Sequence, residues 1–166
     1  MQIIKKEYKV YAFDELSQNA KDTAREEYLQ EEDYPFLEED LKEQLKEELK
    51  ENEIQGEPEI DYSLSYCQGD GLMFTGSFYW KGLSIVIDKS RNGNYSHSYM
   101  SIFNIINEKE EEIESEEFED LYHEICRKIE RIGYDIIETQ QSEENFADLC
   151  NANDYTFLES GAMFNN

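Results

Sequence analysis

Large apolar side chains alternate with small or polar ones over residues 59–90, and this period of two predicts consecutive β-strands. The alternating apolar positions in the first half of the stretch are Ile60, Tyr62, Leu64, Tyr66, Leu72, Phe74, Phe78 and Trp80. We predict an antiparallel meander with strands at about residues 59–67, 72–80, 83–90 and 95–105. Its apolar face is expected to be covered by helices, and its hydroxyl-rich face to meet water or a partner.

The register of the first predicted hairpin follows from the need to keep its apolar side chains on one face. A shift of one residue turns every side chain of a strand to the other face, so the numbers of paired residues must sum to an even number. A three-residue turn at residues 69–71 meets this condition and places Tyr66 opposite Phe74 and Tyr62 opposite Phe78.

The two later hairpins are predicted to turn within two residues each. A turn at residues 81–82 places Phe78 opposite Ile85 and keeps the same face apolar. Asn-Gly at residues 92–93 is a strong hairpin signal, and a two-residue turn there places Ile85 opposite Met100. All four strands are thereby predicted to form one sheet.

Four helices are predicted where apolar residues recur every third or fourth position. Their predicted bounds are residues 14–29, 36–51, 114–139 and 143–151. Asp14 and Ser142 are suited to cap the first and the last of them, and Pro35 is suited to open the second. With an edge strand at residues 3–12 and a small hairpin at residues 155–164, the chain is predicted to be one α+β domain of residues 1–166. That domain has a four- to five-stranded antiparallel meander sheet with helices packed on one face.

The charge of the chain limits its partners. Of 166 residues, 40 are Asp or Glu and 15 are Lys or Arg, which gives a formal net charge of -25. Such a charge disfavours direct binding to nucleic acid or to an anionic membrane, because both are polyanions. It suits a basic protein surface, including one that otherwise holds nucleic acid. The simpler alternative is that the acids only keep the protein soluble.

Two stretches carry most of the acids that are candidates for partner binding. The first is the predicted helix at residues 36–51, where some acids, such as Glu38 beside Lys42, have a lysine one turn away. The second precedes the third predicted helix, whose first turn favours acids on electrostatic grounds. The candidate residues are Glu38, Glu39, Glu43, Glu47, Glu48, Glu51, Glu110, Glu111, Glu112 and Glu114.

The cysteines and the N-terminus point to a cytoplasmic protein without a resident metal. Three cysteines are present, without the spacing of a disulfide framework or a zinc site. The first residues lack the apolar core of a signal peptide, and no stretch reaches the ~20 apolar residues of a membrane span. No cofactor is expected, and the predicted location is the cytosol of a host cell.

The Gln-Gly-Asp-Gly sequence at residues 68–71 is the most conspicuous short motif. Its glycines suit a structural turn, and Asp70 would repel a phosphate. A weaker alternative is a ligand site that uses this loop and the hydroxyl-rich face of the sheet. Its candidate residues are Gln68, Asp70, Tyr79, His97 and Tyr99.

No catalytic residues are predicted. Asp88 is predicted opposite His97, and Glu119 lies one turn before His123, but neither pair has a third ligand or a placed nucleophile. Residues 88–94 resemble half of a calcium loop, yet the twelfth position is Tyr99 rather than a glutamate, which favours a hairpin turn. We therefore expect a protein that is not an enzyme.

Several segments resemble a group of small, uncharacterised phage and prophage proteins. The segments are YKVYAFDELSQNAKDTAREEY, DYSLSYCQGDGLMFTGSF, RIGYDIIE and NDYTFLESGAMF, and the QGDG hairpin is the most specific of them. The resemblance spans most of the chain and implies a phage accessory protein, with no catalytic residues to assign. An acidic phage protein is similar in character to anti-CRISPR proteins and other DNA mimics that inhibit host defences.

The sequence thus supports two hypotheses for function. The first is a phage-encoded acidic inhibitor that binds stoichiometrically to the basic surface of a host defence nuclease or another nucleic-acid-binding protein. The alternative is a module that binds a small ligand or a protein through the hydroxyl-rich sheet face and the QGDG loop. An antitoxin-like partner protein differs from the first hypothesis only in its target.

Overall fold

The computed structural model describes residues 6–29, 34, 36–90 and 95–164 and has the predicted α+β class. Its helices in these residues are α1 (Gln18–Leu29), α2 (Leu37–Glu51), α3 (Glu116–Gln140) and α4 (Glu143–Ala152). Its strands are β1 (Gln55–Gly56), β2 (Glu59–Ser63), β3 (Gly71–Trp80), β4 (Leu83–Lys89), β5 (Ser101–Ile106) and β6 (Glu112–Ile113).

The chain groups into two compact units. One consists of Met1–Tyr34 and Ile137–Asn166, and the other, which holds the sheet, is Pro35–Ile136. The prediction of a single domain stays a prediction, because compactness alone does not say whether two units unfold together.

The sheet is antiparallel throughout, as predicted, and its strands follow the order β1-β3-β4-β5-β6, while β2 also pairs with β3. β1 and β2 lie along the same edge of β3 in one continuous register, since Gln55 pairs with Tyr79 and Glu59 pairs with Thr75. The two short strands β1 and β6 are additions that the sequence pattern did not predict, because a two-residue strand has no detectable period.

The register of the β3–β4 hairpin is as predicted. Phe78 pairs with Ile85 and Trp80 pairs with Leu83. Lys81 and Gly82 form the turn with φ of 47° and 84°, and positive φ at both central residues is typical of the two-residue turn that matches strand twist.

The predicted register of the β2–β3 hairpin is wrong by six residues. Tyr62 pairs with Leu72 rather than with Phe78, and Tyr66 is not in a strand. Residues 64–70 form a seven-residue loop in place of the predicted three-residue turn, because Asp70 binds the loop backbone from within. The shift is even, so Ile60 and Tyr62 still lie on the same face as Leu72 and Phe74, as the alternation required.

The predicted register between β4 and β5 is wrong by five residues. Ile85 pairs with Ile105 rather than Met100, and Asp88 pairs with Ile102 rather than His97. An odd shift exchanges the faces, so Ile102 points to the open side of the sheet. The physical reason is that residues 95–100 do not form a strand; they pass beside the start of β3 and end in a 3₁₀ turn, Ser98–Met100. The turn predicted at residues 92–93 lies outside the described residues.

The buried face of the sheet is packed against helices, as predicted. On α3, the ring of Phe118 lies 5.4 Å from that of Trp80, and the ring of Tyr122 lies 4.5 Å from that of Phe74. α2 contacts α3 through an ion pair between Glu48 and Lys128. Leu41 and Leu45 of α2 are fully buried, so the apolar faces of these helices are core, as their spacing predicted.

The predicted helix bounds hold closely for α2, α3 and α4, and Ser142 caps α4 by accepting a hydrogen bond from the Asn145 amide. The first helix begins later than predicted. Asp14 lies in a 3₁₀ turn, and Ser17 Oγ accepts the amide hydrogen of Ala20 at the start of α1. Pro35, predicted to open the second helix, lies outside the described residues.

The predicted edge strand at residues 3–12 is wrong for its described part, residues 6–12. In this part Tyr11 forms a single antiparallel bridge, to Phe157, and the other residues are not in a strand. The predicted small C-terminal hairpin is present, with a bridge between Phe157 and Met163 and a turn in which the Gly161 amide donates to the Leu158 carbonyl. The amides of Leu158 and Phe164 donate across it to the carbonyls of Ala162 and Thr156. Both segments surround a small aromatic core in which Phe13 contacts Phe146 and Phe157.

Candidate functional site

The acids between β5 and β6 are held on a short, well-defined hairpin. Asn107 Oδ1 accepts the amide hydrogens of Lys109 (2.8 Å) and Glu111 (3.1 Å), and the Asn107 amide donates to the Glu111 carbonyl. Glu110 adopts the left-handed conformation, with φ of 62°, that closes this turn. The exposed acids of the stretch are Glu108, Glu110, Glu111, Glu112 and Glu114. We call these five residues the acidic hairpin.

Within the described part of the chain, no carboxylate of the acidic hairpin forms an ion pair. Residues 108–114 contain five glutamates and one lysine, Lys109. The backbone that carries these carboxylates is therefore fixed by the fold, and the carboxylates are not neutralised by ion pairs with neighbouring described cations. Glu111 Oε2 accepts a hydrogen bond from Asn107 Nδ2 (3.1 Å), but a cationic partner would have no internal ion pair of these described residues to break.

The candidate acids on α2 have a different environment. Glu38 pairs with Lys42, and Glu48, which is largely buried, pairs with Lys128. The outward surface of α2 also carries Lys46 and Lys50 between Glu39, Glu43, Glu47 and Glu51. This surface has mixed charge, so we rank it below the acidic hairpin as a binding surface.

The acids of α2 and the acidic hairpin do not form one continuous site. α2 leads into β1 at one edge of the sheet, whereas the hairpin ends in β6 at the opposite edge. Four strand spacings separate these edges, which corresponds to about 19 Å. A single partner that reached both groups would have to span the sheet.

Asp70 of the QGDG motif is a buried structural acceptor. Its carboxylate accepts hydrogen bonds from the amides of Ser65 (2.7 Å) and Cys67 (3.0 Å) and from the Tyr134 hydroxyl (2.6 Å). The hydroxyls of Ser63 and Ser65 also donate to it. Its oxygens are occupied, so this arrangement supports the structural interpretation of the motif over a ligand site.

These hydrogen bonds change the acidity of both partners. Burial by itself raises the pKa of the Asp70 carboxyl, but the bonds from Tyr134, Cys67 and Ser65 outweigh burial and hold that pKa below its usual range. Burial and the adjacent carboxylate raise the pKa of the Tyr134 phenol. Asp70 is therefore charged, and Tyr134 is its donor.

The residues of the alternative ligand site do not converge. His97 lies beside the motif, since a Cβ placed on Gly71 would meet its ring. Tyr79 lies eight residues along β3 from Gly71, about 26 Å in an extended strand. Tyr99, predicted on the sheet face, instead stacks on His123 of α3 with ring centroids 4.5 Å apart. Gln68 is exposed in the loop.

His123 forms a hydrogen bond of 3.0 Å between its Nδ1 and the hydroxyl of Ser98. Burial and the nearby Arg127 lower the pKa of this histidine, which keeps it neutral at pH 7, although Glu119 and Asp120 oppose the shift. Ser98 is buried, and among the described residues no carboxylate hydrogen-bonds the ring. The pair therefore lacks the orienting acid of a nucleophilic triad and fits a packing role.

The open face of the sheet, predicted to be hydroxyl-rich, also carries apolar side chains. Four large apolar side chains lie exposed on it: Tyr79 (46%), Val86 (41%), Ile102 (53%) and Ile106 (38%). Ile102 and Ile106 were missed because the predicted β4–β5 register assigned other residues to this face. The alternation of Ile102, Asn104 and Ile106 with Phe103 and Ile105 was the signal available in the sequence.

The three cysteines should differ in reactivity. Cys67 is exposed, while Cys126 and Cys150 are buried as free thiols. Burial raises the pKa of the Cys126 thiol to about 12 and that of the Cys150 thiol to about 11. At pH 7.5 we expect one fast-reacting thiol in a spectrophotometric thiol titration, absent in Cys67→Ser, and two more only after denaturation. Fast reaction of a second thiol in the native protein would contradict the assigned packing.

Within the described residues, no group of three or more His, Cys, Asp or Glu side chains is arranged to hold a metal ion. None of the described helices is long and apolar enough to cross a membrane.

No protein-family model, curated protein or solved structure is detectably similar to this chain. The fold class is therefore assigned from the strands and helices themselves, as an α+β protein with an open antiparallel sheet. The resemblance to phage proteins, and the expectation that the chain is not an enzyme, stay predictions.

Proposed function

We propose that this chain is a phage-encoded acidic inhibitor that binds stoichiometrically to the basic surface of a host defence nuclease or another nucleic-acid-binding protein. The observation that carries the proposal is the acidic hairpin. Its carboxylates are exposed on a turn whose backbone is held by Asn107, and they form no ion pair among the described residues. Together with a formal charge of -25, they offer a lysine- and arginine-lined groove the same kind of contact that phosphates make.

The proposal predicts a salt-dependent complex that nucleic acid displaces. The tagged chain is incubated with host lysate at about 0.1 M salt, where charges are screened beyond about 10 Å. Retained proteins are eluted with duplex DNA or with high salt and identified by mass spectrometry. We expect a nucleic-acid-binding protein to be eluted by both.

The decisive comparison uses variants that remove the same number of charges at different places. Glu110→Gln, Glu111→Gln and Glu112→Gln together neutralise the acidic hairpin, and they are expected to reduce the affinity for the eluted partner at least about tenfold. Glu26→Gln, Glu27→Gln and Glu144→Gln remove three exposed acids from the other unit and serve as the control. Equal loss in both triple variants would mean that only net charge matters, and no loss in either would refute the proposal.

The alternative function has two parts, a ligand site at the QGDG loop and a binding surface on the open sheet face, and only the second keeps support. The ligand site at the QGDG loop loses support, because Asp70 is occupied by internal donors. The open sheet face keeps support as a protein-binding surface, because it exposes large apolar side chains. An antitoxin-like role predicts the same acidic contacts with a toxin as the eluted partner.

A further inference from the structure

The exposed apolar side chains of the open sheet face form one patch. Val86 pairs with Ser77 on β3 and with Asn104 on β5. Tyr79, Ile102 and Ile106 therefore occupy diagonal positions around Val86, at the about 7–8 Å that separates diagonal neighbours in a sheet. We call these four residues the sheet patch.

The surroundings of the sheet patch are uncharged at the centre and acidic at the rim. The polar residues between its members are Ser77, Ser84 and Asn104. A third of the chain is charged, yet none of these seven positions carries a charge. Asp88, opposite Ile102, and Glu112, opposite Ile106, lie on the same face at its margin. Centres depleted of charge and surrounded by a polar rim are typical of protein interfaces.

We infer that the sheet patch is the docking surface for the basic partner, which presents apolar side chains surrounded by lysine or arginine. The inference rests on the proposed function and specifies the chemistry of its partner. Glu112 belongs to both the acidic hairpin and the rim of the sheet patch, so one partner contacts both surfaces. A second copy of this chain is disfavoured as the occupant, because two acidic rims would face each other.

The arrangement gives the two surfaces different roles. The acidic hairpin increases the association rate and contributes the salt-dependent part of the affinity. The sheet patch contributes a part that salt does not screen, because burial of apolar surface does not depend on charge. High salt should therefore weaken the complex enough to elute the partner, but it should not reduce the affinity to zero.

A display library of random short peptides, selected on the full chain at low salt, tests this inference without knowledge of the natural partner. We expect selected peptides to combine two or more large apolar residues with lysine or arginine. Val86→Thr with Ile102→Thr keeps β-branched side chains in both strands but replaces apolar surface with hydroxyls. This double variant should bind a selected synthetic peptide at least about tenfold more weakly.

Phe36→Thr is the matched control, because Phe36 is also exposed and apolar but precedes α2. It should leave peptide affinity unchanged, and the melting temperatures of all variants report whether they fold. The inference would be overturned if the selected peptides were basic but had no apolar residues, and if the triple variant of the acidic hairpin lost their binding while Val86→Thr/Ile102→Thr kept it. That result would leave the proposed function intact. Apolar peptides without basic residues would contradict both proposals.

Two further outcomes also count against the inference. Failure to select any peptide would mean that the sheet patch does not recognise this chemistry. A dimer in sedimentation of the chain alone, abolished by Val86→Thr/Ile102→Thr, would show that the occupant is a second copy.

Discussion

Asp70→Ala is expected to lower the free energy of unfolding by about 3–5 kcal/mol, because it removes several partly buried hydrogen bonds to a charged acceptor, each of which contributes about 1.5–3 kcal/mol. The substitution removes the common acceptor of the Ser65 and Cys67 amides and of the Tyr134 hydroxyl. The loop at residues 64–70 would then lose its link to α3. Urea denaturation followed by circular dichroism measures the change. A loss below 1 kcal/mol would show that water replaces the carboxylate.

Asp88→Asn is the control for the charge change, because Asp88 is exposed on the sheet, and it should alter stability by less than about 0.5 kcal/mol. Asp70→Asn tests the ionised state itself. The pKa of Asp70 is lower in the folded protein than in the unfolded chain, so its charge stabilises the fold above about pH 4. This contribution is lost progressively as the pH falls below that value. The stability difference between wild type and Asp70→Asn should therefore be larger at pH 7 than at pH 3.

The sequence pattern predicted the sheet well where a hairpin is closed by its own two residues, as at Lys81 and Gly82. It failed where a side chain from elsewhere determines the loop. Nothing in the alternation of residues 59–80 shows that Asp70 accepts a hydrogen bond from Tyr134, which lies 64 residues further along the chain. The error was an even number of residues, because burial still required the same side chains to face inward.

The candidate site was predictable in composition but not in arrangement. The acidic stretch at residues 108–114 is evident from the sequence, yet its fixed geometry depends on the Asn107 side chain and on the short strand β6. The sheet patch depends on the β4–β5 register. The predicted register was wrong by five residues, and this error exchanged the two faces of β5. A prediction that begins β5 at Ser101 would have found Ile102 and Ile106.

Tyr122→Phe is expected to lower the free energy of unfolding by about 2–4 kcal/mol, because the Tyr122 hydroxyl makes the backbone hydrogen bonds that a neighbouring strand would otherwise make. β3 pairs with β4 only from Gly76 onward, so the Phe74 amide and carbonyl lack a strand partner on that side. The buried Tyr122 hydroxyl accepts the Phe74 amide hydrogen (3.2 Å) and donates to the Phe74 carbonyl (3.0 Å). Burial raises the pKa of this phenol, so it remains a donor at any pH used for the assay. Phenylalanine retains the ring contact with Phe74 but removes the hydroxyl that bonds to both of its backbone groups.

Tyr79→Phe makes the same chemical change at an exposed position of the same strand and should cost less than about 0.5 kcal/mol. Amide hydrogen exchange locates the effect, since faster exchange is expected at Phe74 in Tyr122→Phe and not in Tyr79→Phe. Equal stability of the two variants would mean that β3 does not depend on α3 for its hydrogen bonds. The expected difference would show instead that α3 supplies hydrogen bonds to the first half of β3 in place of a strand. β4 then needs to pair with β3 only from Gly76 onward, and the β4–β5 hairpin presents the acidic hairpin at the far edge of the sheet.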